Sequence, residues 1–233
     1  MMGGIPTNVD GQALTIDREG NDQVIDGFYA CGEAACVSVH GANRLGGNSL
    51  LDLVVFGRAS GIFIEKQLSE GITLKEATEE DIQRAMAGLN RINQSSDGEN
   101  AAVLRAELQT IMQNYFGVFR RGDYMKKGIE KLDDLRLRVE NVYLGDKSSS
   151  FNTARLEALE LQNLFETAYA TAISAEGRIE SRGAHARDDY KERDDENWLC
   201  HSLYDPIQKA LSKRDVNFEP AQVETFEPKV RTY

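Results

Sequence analysis

Hydrophobic residues recur every three or four positions through the middle of the chain, a spacing typical of one face of an α-helix. The pattern predicts four helices between residues 73 and 178, which we expect to pack as an antiparallel bundle. The expected boundaries are a start at 78–81, breaks at 95–98, Gly117 and 148–150, an N-cap at Asn152 and an end at Gly177.

The first 72 residues show a different pattern, typical of mixed strands and helices. Residues 13–16 alternate as a strand, and 17–22 form a turn cluster. We expect a short strand at 24–25, a turn at 26–27 and a buried strand at 28–31. An apolar helix should then run from about Ser49 to Glu70 and end at Gly71. Its first residues are too apolar for a surface helix, so we expect it to be buried.

The last part of the chain is more polar. Residues 198–204 predict a strand, Asp205 and Pro206 a turn, and 210–218 a partner strand, with an extended end that contains Pro220 and Pro228. The predicted fold class is α+β overall. Its expected parts are an α/β portion over 1–72, a helical bundle domain over 73–178 and a C-terminal region with a β-hairpin over 179–233.

Charge and cysteine content exclude some functions. The net charge of −11 argues against a nucleic-acid-binding protein, which would need a basic face. Cys31, Cys36 and Cys200 are too few and too scattered for an iron–sulfur cluster, and we expect no disulfide. His185 and His201 have no partners at metal-ligand spacing. We also predict no transmembrane helix and no signal peptide.

The run from His40 to Gly57 carries the strongest chemical signal. Glycines at 41, 46 and 47 permit close approach of the backbone to a ligand, and a helix with its N–H groups at the open end follows. Asn48 and Ser49 are candidate N-caps. Arg44 supplies a planar guanidinium that suits a carboxylate or a phosphate. These features predict a site for an anionic ligand.

The same run resembles the substrate and flavin loop of the succinate dehydrogenase and fumarate reductase flavoproteins. Four further segments are similar to that family in the same order, at 2–7, 27–33, 180–187 and 228–233. The match spans the chain from end to end. The resemblance is closer to the succinate dehydrogenase branch, since fumarate reductases tend to differ at Pro6, Gly47, Leu51 and Asp52.

The resemblance implies roles for five residues. Arg44 would bind a carboxylate of the substrate, and the backbone N–H of Gly47 would contact the same ligand. Glu33 would contact the ribityl chain of FAD, while Ser49 and Leu50 would lie at the pyrimidine edge of the flavin. The residues alone leave other interpretations open: Glu33 as a solvated turn acid, Arg44 bound to loop carbonyls, and Ser49 as a simple N-cap.

Three further features have less specific interpretations. We expect His40 to hold the loop by a hydrogen bond rather than to react. Glycines 3 and 4 would let the backbone pass close to the flavin, or would form a plain turn. Residues 181–189 combine histidine, arginine and aspartate, and we interpret them as a salt-bridged junction that could also contact a partner subunit.

The resemblance also implies a whole reaction. The family oxidises succinate to fumarate with FAD and passes electrons to an iron–sulfur subunit, with membrane anchor subunits as indirect partners. The implied location is the cytoplasmic face of a bacterial inner membrane. Because the chain has no Gly-x-Gly-x-x-Gly motif, we expect it to be a C-terminal portion. It would carry no catalytic base or metal and would be inactive alone. The alternatives are a fumarate reductase, an L-aspartate oxidase, or an inert scaffold fragment.

Overall fold

A computed structural model describes residues 2–17, 19–73, 75–220, 222–225 and 229. It contains both helices and short strands, which confirms the α+β class. The helices are α1 (Gly46–Ser69), α2 (Glu79–Gln94), α3 (Ala101–Phe116), α4 (Gly122–Glu140), α5 (Thr153–Gly177) and α6 (Asp195–Trp198). The strands are β1 (Ile5–Pro6), β2 (Gln12–Ile16), β3 (Asp22–Tyr29), β4 (Ala35–Cys36), β5 (Glu99–Asn100), β6 (Phe119–Arg120), β7 (Val142–Tyr143), β8 (Ala186–Arg187), β9 (Cys200–Asp205) and β10 (Ala210–Asp215).

The hydrophobic core lies among α3, α4 and α5, with α2 packed against α5. These are the four helices that the sequence predicts. Five residues of this core are completely buried: Leu104, Met125, Leu132, Leu135 and Leu161. Each occupies the apolar face that the helical spacing indicates, so the bundle follows directly from the sequence pattern.

Side-chain caps mark where three of these four helices begin. Thr78 and Asp81 form a reciprocal capping box at the start of α2. Asn152 accepts a hydrogen bond from the backbone of Arg155 and begins α5, as predicted. Asn100 does the same for α3 through Ala102.

Two short parallel strand pairs that the sequence did not indicate connect the ends of the helices. β5 pairs with β7 beside the start of α3, and β6 pairs with β8 between α3 and α4. Each strand has only two residues. An alternation pattern needs at least four residues to be recognised, so such pairs give no usable signal in the sequence.

The N-terminal strands correct two details of the prediction. β2 pairs with β3 in an antiparallel ladder whose register is irregular between Gln12 and Leu14. β3 is one strand rather than two, and it continues through Gly27, whose φ of +74° only glycine adopts without strain. The expected buried strand at 28–31 is wrong, because Phe28 and Cys31 are exposed.

Helix α1 differs from expectation in its start and its burial. It begins at Gly46, three residues before the predicted Ser49, and Leu45 occupies the N-cap position. It ends as predicted, because Gly71 has a φ of +80° and closes the last turn with Ile72. The expectation of a buried helix is wrong for this chain: within α1 only Asp52 and Ser60 are buried, and Leu50 and Val54 are both 68% exposed.

By length and composition alone, α1 is able to cross a membrane, which the sequence analysis did not predict. One such helix is weak evidence for a membrane span, because helices from the core of a soluble protein have the same composition.

The C-terminal hairpin confirms the prediction. β9 and β10 pair in an antiparallel register from Cys200–Asp215 to Asp205–Ala210. The three cysteines are free. The family-like segment at 228–233 lies outside the described residues except for Lys229, and the expected extended end is described only in part.

The contact between α3 and α4 leads to a stability prediction. A Cβ atom on Gly128 would lie 2.5 Å from the Phe116 ring and 2.6 Å from the Cβ of Tyr115. Gly128→Ala should therefore lower the free energy of unfolding by about 1–3 kcal/mol, because the helices would have to move apart. Chemical denaturation followed by circular dichroism measures this.

The matched control is Gly88→Ala in α2, where a Cβ would meet nothing within 4 Å. That change should raise stability by about 0.5–1 kcal/mol through helix propensity alone. Equal effects of the two changes would contradict the close packing of α3 on α4.

Candidate functional site

The loop before α1 is organised by one buried carboxylate. Asp52 lies in the second turn of α1, and its side chain is 4% exposed. Its Oδ2 atom accepts hydrogen bonds from Arg44 and His40, each at 3.0 Å. A carboxylate in an otherwise apolar segment needs such partners, since an unpaired buried charge is strongly unfavourable. Asp52 thereby fixes two residues of the loop relative to the helix.

Arg44 is held in one orientation by its neighbours. Its Nη2 donates to Asp52, and its Nε donates to the Ser49 hydroxyl at 3.3 Å. Its backbone N–H donates to the sulfur of Met2. Within the described part of the chain, these bonds leave Nη1 for a ligand. Because the guanidinium is already oriented, an anion that binds it does not have to order a flexible side chain.

The start of α1 offers further donors beside this arginine. Leu45 cannot cap the helix, so the first backbone N–H groups have no side-chain acceptor there. Gly46 and Gly47 present no Cβ, and no other atom lies within 4 Å of where one would be. The positive end of the helix dipole and Arg44 therefore face the same space.

The segment that contains Glu33 lies against the same helix. Glu33 is exposed on a short 3-10 turn, Gly32–Ala34, that packs on α1. A Cβ on Gly32 would lie 2.7 Å from Leu53, and one on Gly4 would lie 2.5 Å from the Ala34 carbonyl oxygen. These close approaches bring β1, the turn and α1 together, with Glu33 left facing solvent.

The segment 178–189 forms a second polar cluster, built on Glu180. This carboxylate is completely buried and accepts hydrogen bonds from Arg178 and Arg182, with shortest distances of 2.6 and 2.7 Å. The backbone N–H of Asp194 donates to it as well. Burial raises its pKa, but the bonds from Arg182, Asp194 and Arg178 outweigh burial and leave the pKa below its ordinary value.

Arg187 connects this cluster to the helical bundle. It is 3% exposed and pairs with Asp189 in a bidentate contact. Its Nη1 donates to carbonyls of Glu176 and Arg178 at the end of α5, groups that a helix leaves unpaired. The geometry supports the interpretation of this stretch as a salt-bridged junction.

The junction also contacts the loop before α1. The backbone N–H of Ala184 donates to the Ala42 carbonyl at 3.0 Å. Gly183 has a φ of +59°, and a Cβ there would lie 2.6 Å from the same carbonyl oxygen. Residues more than 140 positions apart therefore share one packed contact.

Comparison with known proteins agrees with this arrangement. A family model described as fumarate reductase flavoprotein C-term matches residues 105–233, and one described as FAD binding domain matches residues 1–50. This chain belongs to the succinate dehydrogenase and fumarate reductase flavoprotein family.

Three relatives of this flavoprotein family show the extent of the match. The succinate dehydrogenase flavoprotein subunit of Coxiella burnetii is 53% identical over 99% of this chain and 39% of its own length. That of Rickettsia bellii is 40% identical over 99% of this chain and 38% of its own length. A variant of E. coli quinol fumarate reductase is structurally similar, with a TM-score of 0.80 and 35% identity over 99% of this chain and 38% of that one. The chain therefore spans about two fifths of the length of these relatives.

The structure brings four of the five predicted site residues together at the start of α1: Arg44, Gly47, Ser49 and Leu50. Glu33 lies on the adjoining turn. Their contacts with ligands stay predictions. Ser49 is not the N-cap; it lies in the first turn and accepts from Arg44. His40 makes the expected loop-holding bond, to Asp52.

The sequence analysis missed the role of Asp52. The available signal was a lone carboxylate in the run from Leu50 to Phe56, which is otherwise apolar. In the described residues no group of histidine, cysteine or carboxylate side chains is suited to hold a metal ion.

The Glu180 cluster predicts how stability depends on pH. Because the folded-state pKa of Glu180 is lowered, its contribution is complete above its ordinary value of 4.5 and is lost as pH falls through the folded value. Glu180→Gln should cost roughly 3 kcal/mol at neutral pH, since it removes the buried carboxylate that pairs with the partly buried Arg178 and Arg182, and Arg182 keeps only Asp195 as an acidic partner. The free energy of unfolding of this variant should also fall less steeply than that of the unchanged protein as the pH is lowered from about 7 to about 3, measured by denaturation at each pH.

Glu80→Gln is the matched control. Glu80 pairs with Arg84 on the surface of α2, where its side chain is 82% exposed. Its loss should change stability by less than about 0.5 kcal/mol at any pH. A Glu180→Gln variant that behaves like this control would contradict a buried, charged Glu180.

Proposed function

We propose that this chain supplies one wall of a flavin-dependent site that oxidises succinate to fumarate, as the flavoprotein part of a succinate dehydrogenase. The observation that carries the proposal is Arg44, oriented by Asp52 and Ser49 next to the uncapped N-terminus of α1. A fixed guanidinium beside free backbone N–H groups suits a dicarboxylate, which presents two anionic ends.

Arg44 and Gly47 would bind the substrate. The guanidinium of Arg44 would take one carboxylate, and the N–H of Gly47 would donate to the same ligand. Holding the acid in one orientation fixes which carbon–hydrogen bond faces the electron acceptor, and orientation of this kind accounts for much of enzymatic rate enhancement. Asp52 acts through Arg44 and does not itself contact the substrate.

The residues present also fit FAD, the cofactor of the family. The uncapped helix start, the Ser49 hydroxyl and the open space beside Gly46 and Gly47 suit an electron-rich ring edge close to the backbone. When bound, FAD supplies the acceptor for the hydride removed from succinate. Ser49 and Leu50 would lie at its pyrimidine edge and Glu33 at its ribityl chain. The dipole of α1 would stabilise negative charge that develops there.

The exposed face of α1 supports a larger protein around this chain. Leu50, Leu51, Val54 and Val55 are each more than half exposed and follow one another along the helix. A continuous apolar surface of this kind normally packs against other protein. We propose that it packs against the rest of the FAD-binding domain, which would also carry the base that removes the substrate proton. The chain alone would then lack turnover.

The division into residues 1–72, 73–178 and 179–233 fits this assignment. The first part would carry the site, the second would be a structural bundle, and the third would position the loop. An iron–sulfur subunit would receive the electrons and the membrane anchor subunits would be indirect partners, with the flavoprotein peripheral at the cytoplasmic face of a bacterial inner membrane. One solved protein that is structurally similar to this chain is a quinol-fumarate reductase with menaquinol molecules.

A fumarate reductase is the second candidate, because a solved chain of that activity has the fold with a TM-score of 0.80. Curated relatives with 53% and 40% identity carry the succinate dehydrogenase name, which favours succinate oxidation.

The test is Arg44→Lys and Arg44→Ala in the full-length enzyme that contains this chain. Both should lower kcat/KM for succinate, by at least about 100-fold for alanine, which corresponds to ~2.7 kcal/mol. Lysine should restore little, because it keeps the charge but loses the planar fork. Steady-state rates with succinate, fumarate and L-aspartate provide the measurement.

Arg84→Ala is the control, since Arg84 lies on the exposed face of α2 with its side chain 71% exposed. It should leave all three rates unchanged. An Arg44→Ala effect below about tenfold would count against the substrate role. Faster oxidation of L-aspartate than of succinate would favour an L-aspartate oxidase.

A further inference from the structure

The C-terminal hairpin reaches the loop that carries Arg44. His201, the second residue of β9, places its Nε2 atom 2.7 Å from the Ser38 hydroxyl. The two residues are 163 positions apart. A hydrogen bond across so much sequence couples the position of the loop to the position of the hairpin.

Ser38 has a backbone conformation that needs support. Its φ is +73°, in the left-handed region that residues with a Cβ rarely adopt. Two residues later His40 bonds Asp52, and four residues after that comes Arg44. A change in the backbone at Ser38 would therefore shift the segment that orients the guanidinium.

The hairpin is attached to the N-terminal strands at a second point. Arg214 of β10 donates to Asp22 of β3 at 2.6 Å. On the other side of the loop, Ala184 donates to the Ala42 carbonyl. The loop between 38 and 42 is thus contacted at both ends by residues from the C-terminal region.

One small cavity connects these contacts to the proposed substrate residue. Gly3, Ser38, His40, Gly41, Arg44 and His201 all line it. His201 therefore lines the same small cavity as Arg44 and contacts the loop through Ser38.

The surroundings of His201 keep its ring neutral at physiological pH. Burial lowers its pKa, and the nearby Arg214 and Arg178 lower it further, while Asp22 acts in the opposite direction. A neutral imidazole makes a stable hydrogen bond to the hydroxyl, in either direction, without a net charge next to the arginine.

We infer that His201 is a positioning residue for substrate binding: its bond to Ser38 holds the loop in the conformation that presents Arg44. The inference rests on the proposed role of Arg44. It assigns the C-terminal hairpin a part in the affinity for the dicarboxylate, although the hairpin lies outside the segment that binds it.

The experiment compares His201→Leu, His201→Gln and Ser38→Ala in the assembled full-length enzyme. His201→Leu and Ser38→Ala should each raise KM for succinate by about three- to tenfold, the effect of one lost hydrogen bond, with a smaller change in kcat. His201→Gln should restore KM to within about twofold, because its amide nitrogen can take the place of Nε2. The Ser38→Ala/His201→Leu double variant should be no worse than either single one, since both remove the same bond.

The control is Ile207→Ala at the tip of the hairpin, where the side chain is 92% exposed; it should leave KM unchanged. A drop in melting temperature with KM unchanged in both His201→Leu and Ser38→Ala would overturn the inference, because the bond would then be only structural. Additive effects in the double variant would overturn it as well. If His201→Leu does not fold, Ser38→Ala on the exposed loop decides the question.

Arg44→Ala, measured in parallel, separates this inference from the proposed function. If Arg44→Ala raises KM and the Ser38 and His201 variants do not, the positioning role fails and the substrate role stands. If Arg44→Ala leaves KM unchanged, the proposed function itself fails.

Discussion

The buried carboxylate of Asp52 is the constraint on which the candidate site depends. An apolar helix accepts such a group only if cations or donors satisfy it, and here Arg44 and His40 do so at 3.0 Å each. The same contacts that make Asp52 tolerable give the loop its shape. Stability and function are therefore coupled at this point, because Arg44, which neutralises the Asp52 carboxylate, is also the arginine available to an anionic ligand.

The rest of the fold supports this arrangement from behind. The helical bundle ends at a cluster in which Glu180 and Asp189 neutralise three arginines, and Arg187 satisfies the last carbonyls of α5. From that cluster the chain reaches the Ala42 carbonyl, and from the hairpin it reaches Ser38. These contacts span more than 140 positions, so the C-terminal region packs directly on the loop that carries Arg44.

Much of this could be predicted from the sequence, and the failures have physical causes. The helices at 79–94, 101–116, 122–140 and 153–177 follow from a regular apolar period and from caps such as Thr78 and Asn152. Two-residue strand pairs such as β6 with β8 lie below the length at which alternation is visible. The exposure of α1 could not be inferred from its own residues, since burial depends on what packs against them. The residues near Arg44 were identified from their types, but its link to Asp52 required the helix register.

The most direct test of the account is the binding of malonate, a dicarboxylate that has no adjacent pair of methylene groups to oxidise, to an Asp52→Asn variant of the full-length enzyme. Removal of the negative charge of Asp52 reduces its Coulomb repulsion of the malonate dianion, and this effect alone should tighten binding. If Asp52 instead orients Arg44, the dissociation constant measured by titration calorimetry should rise, by about tenfold or ~1.4 kcal/mol. Unchanged or tighter binding of malonate would contradict the account.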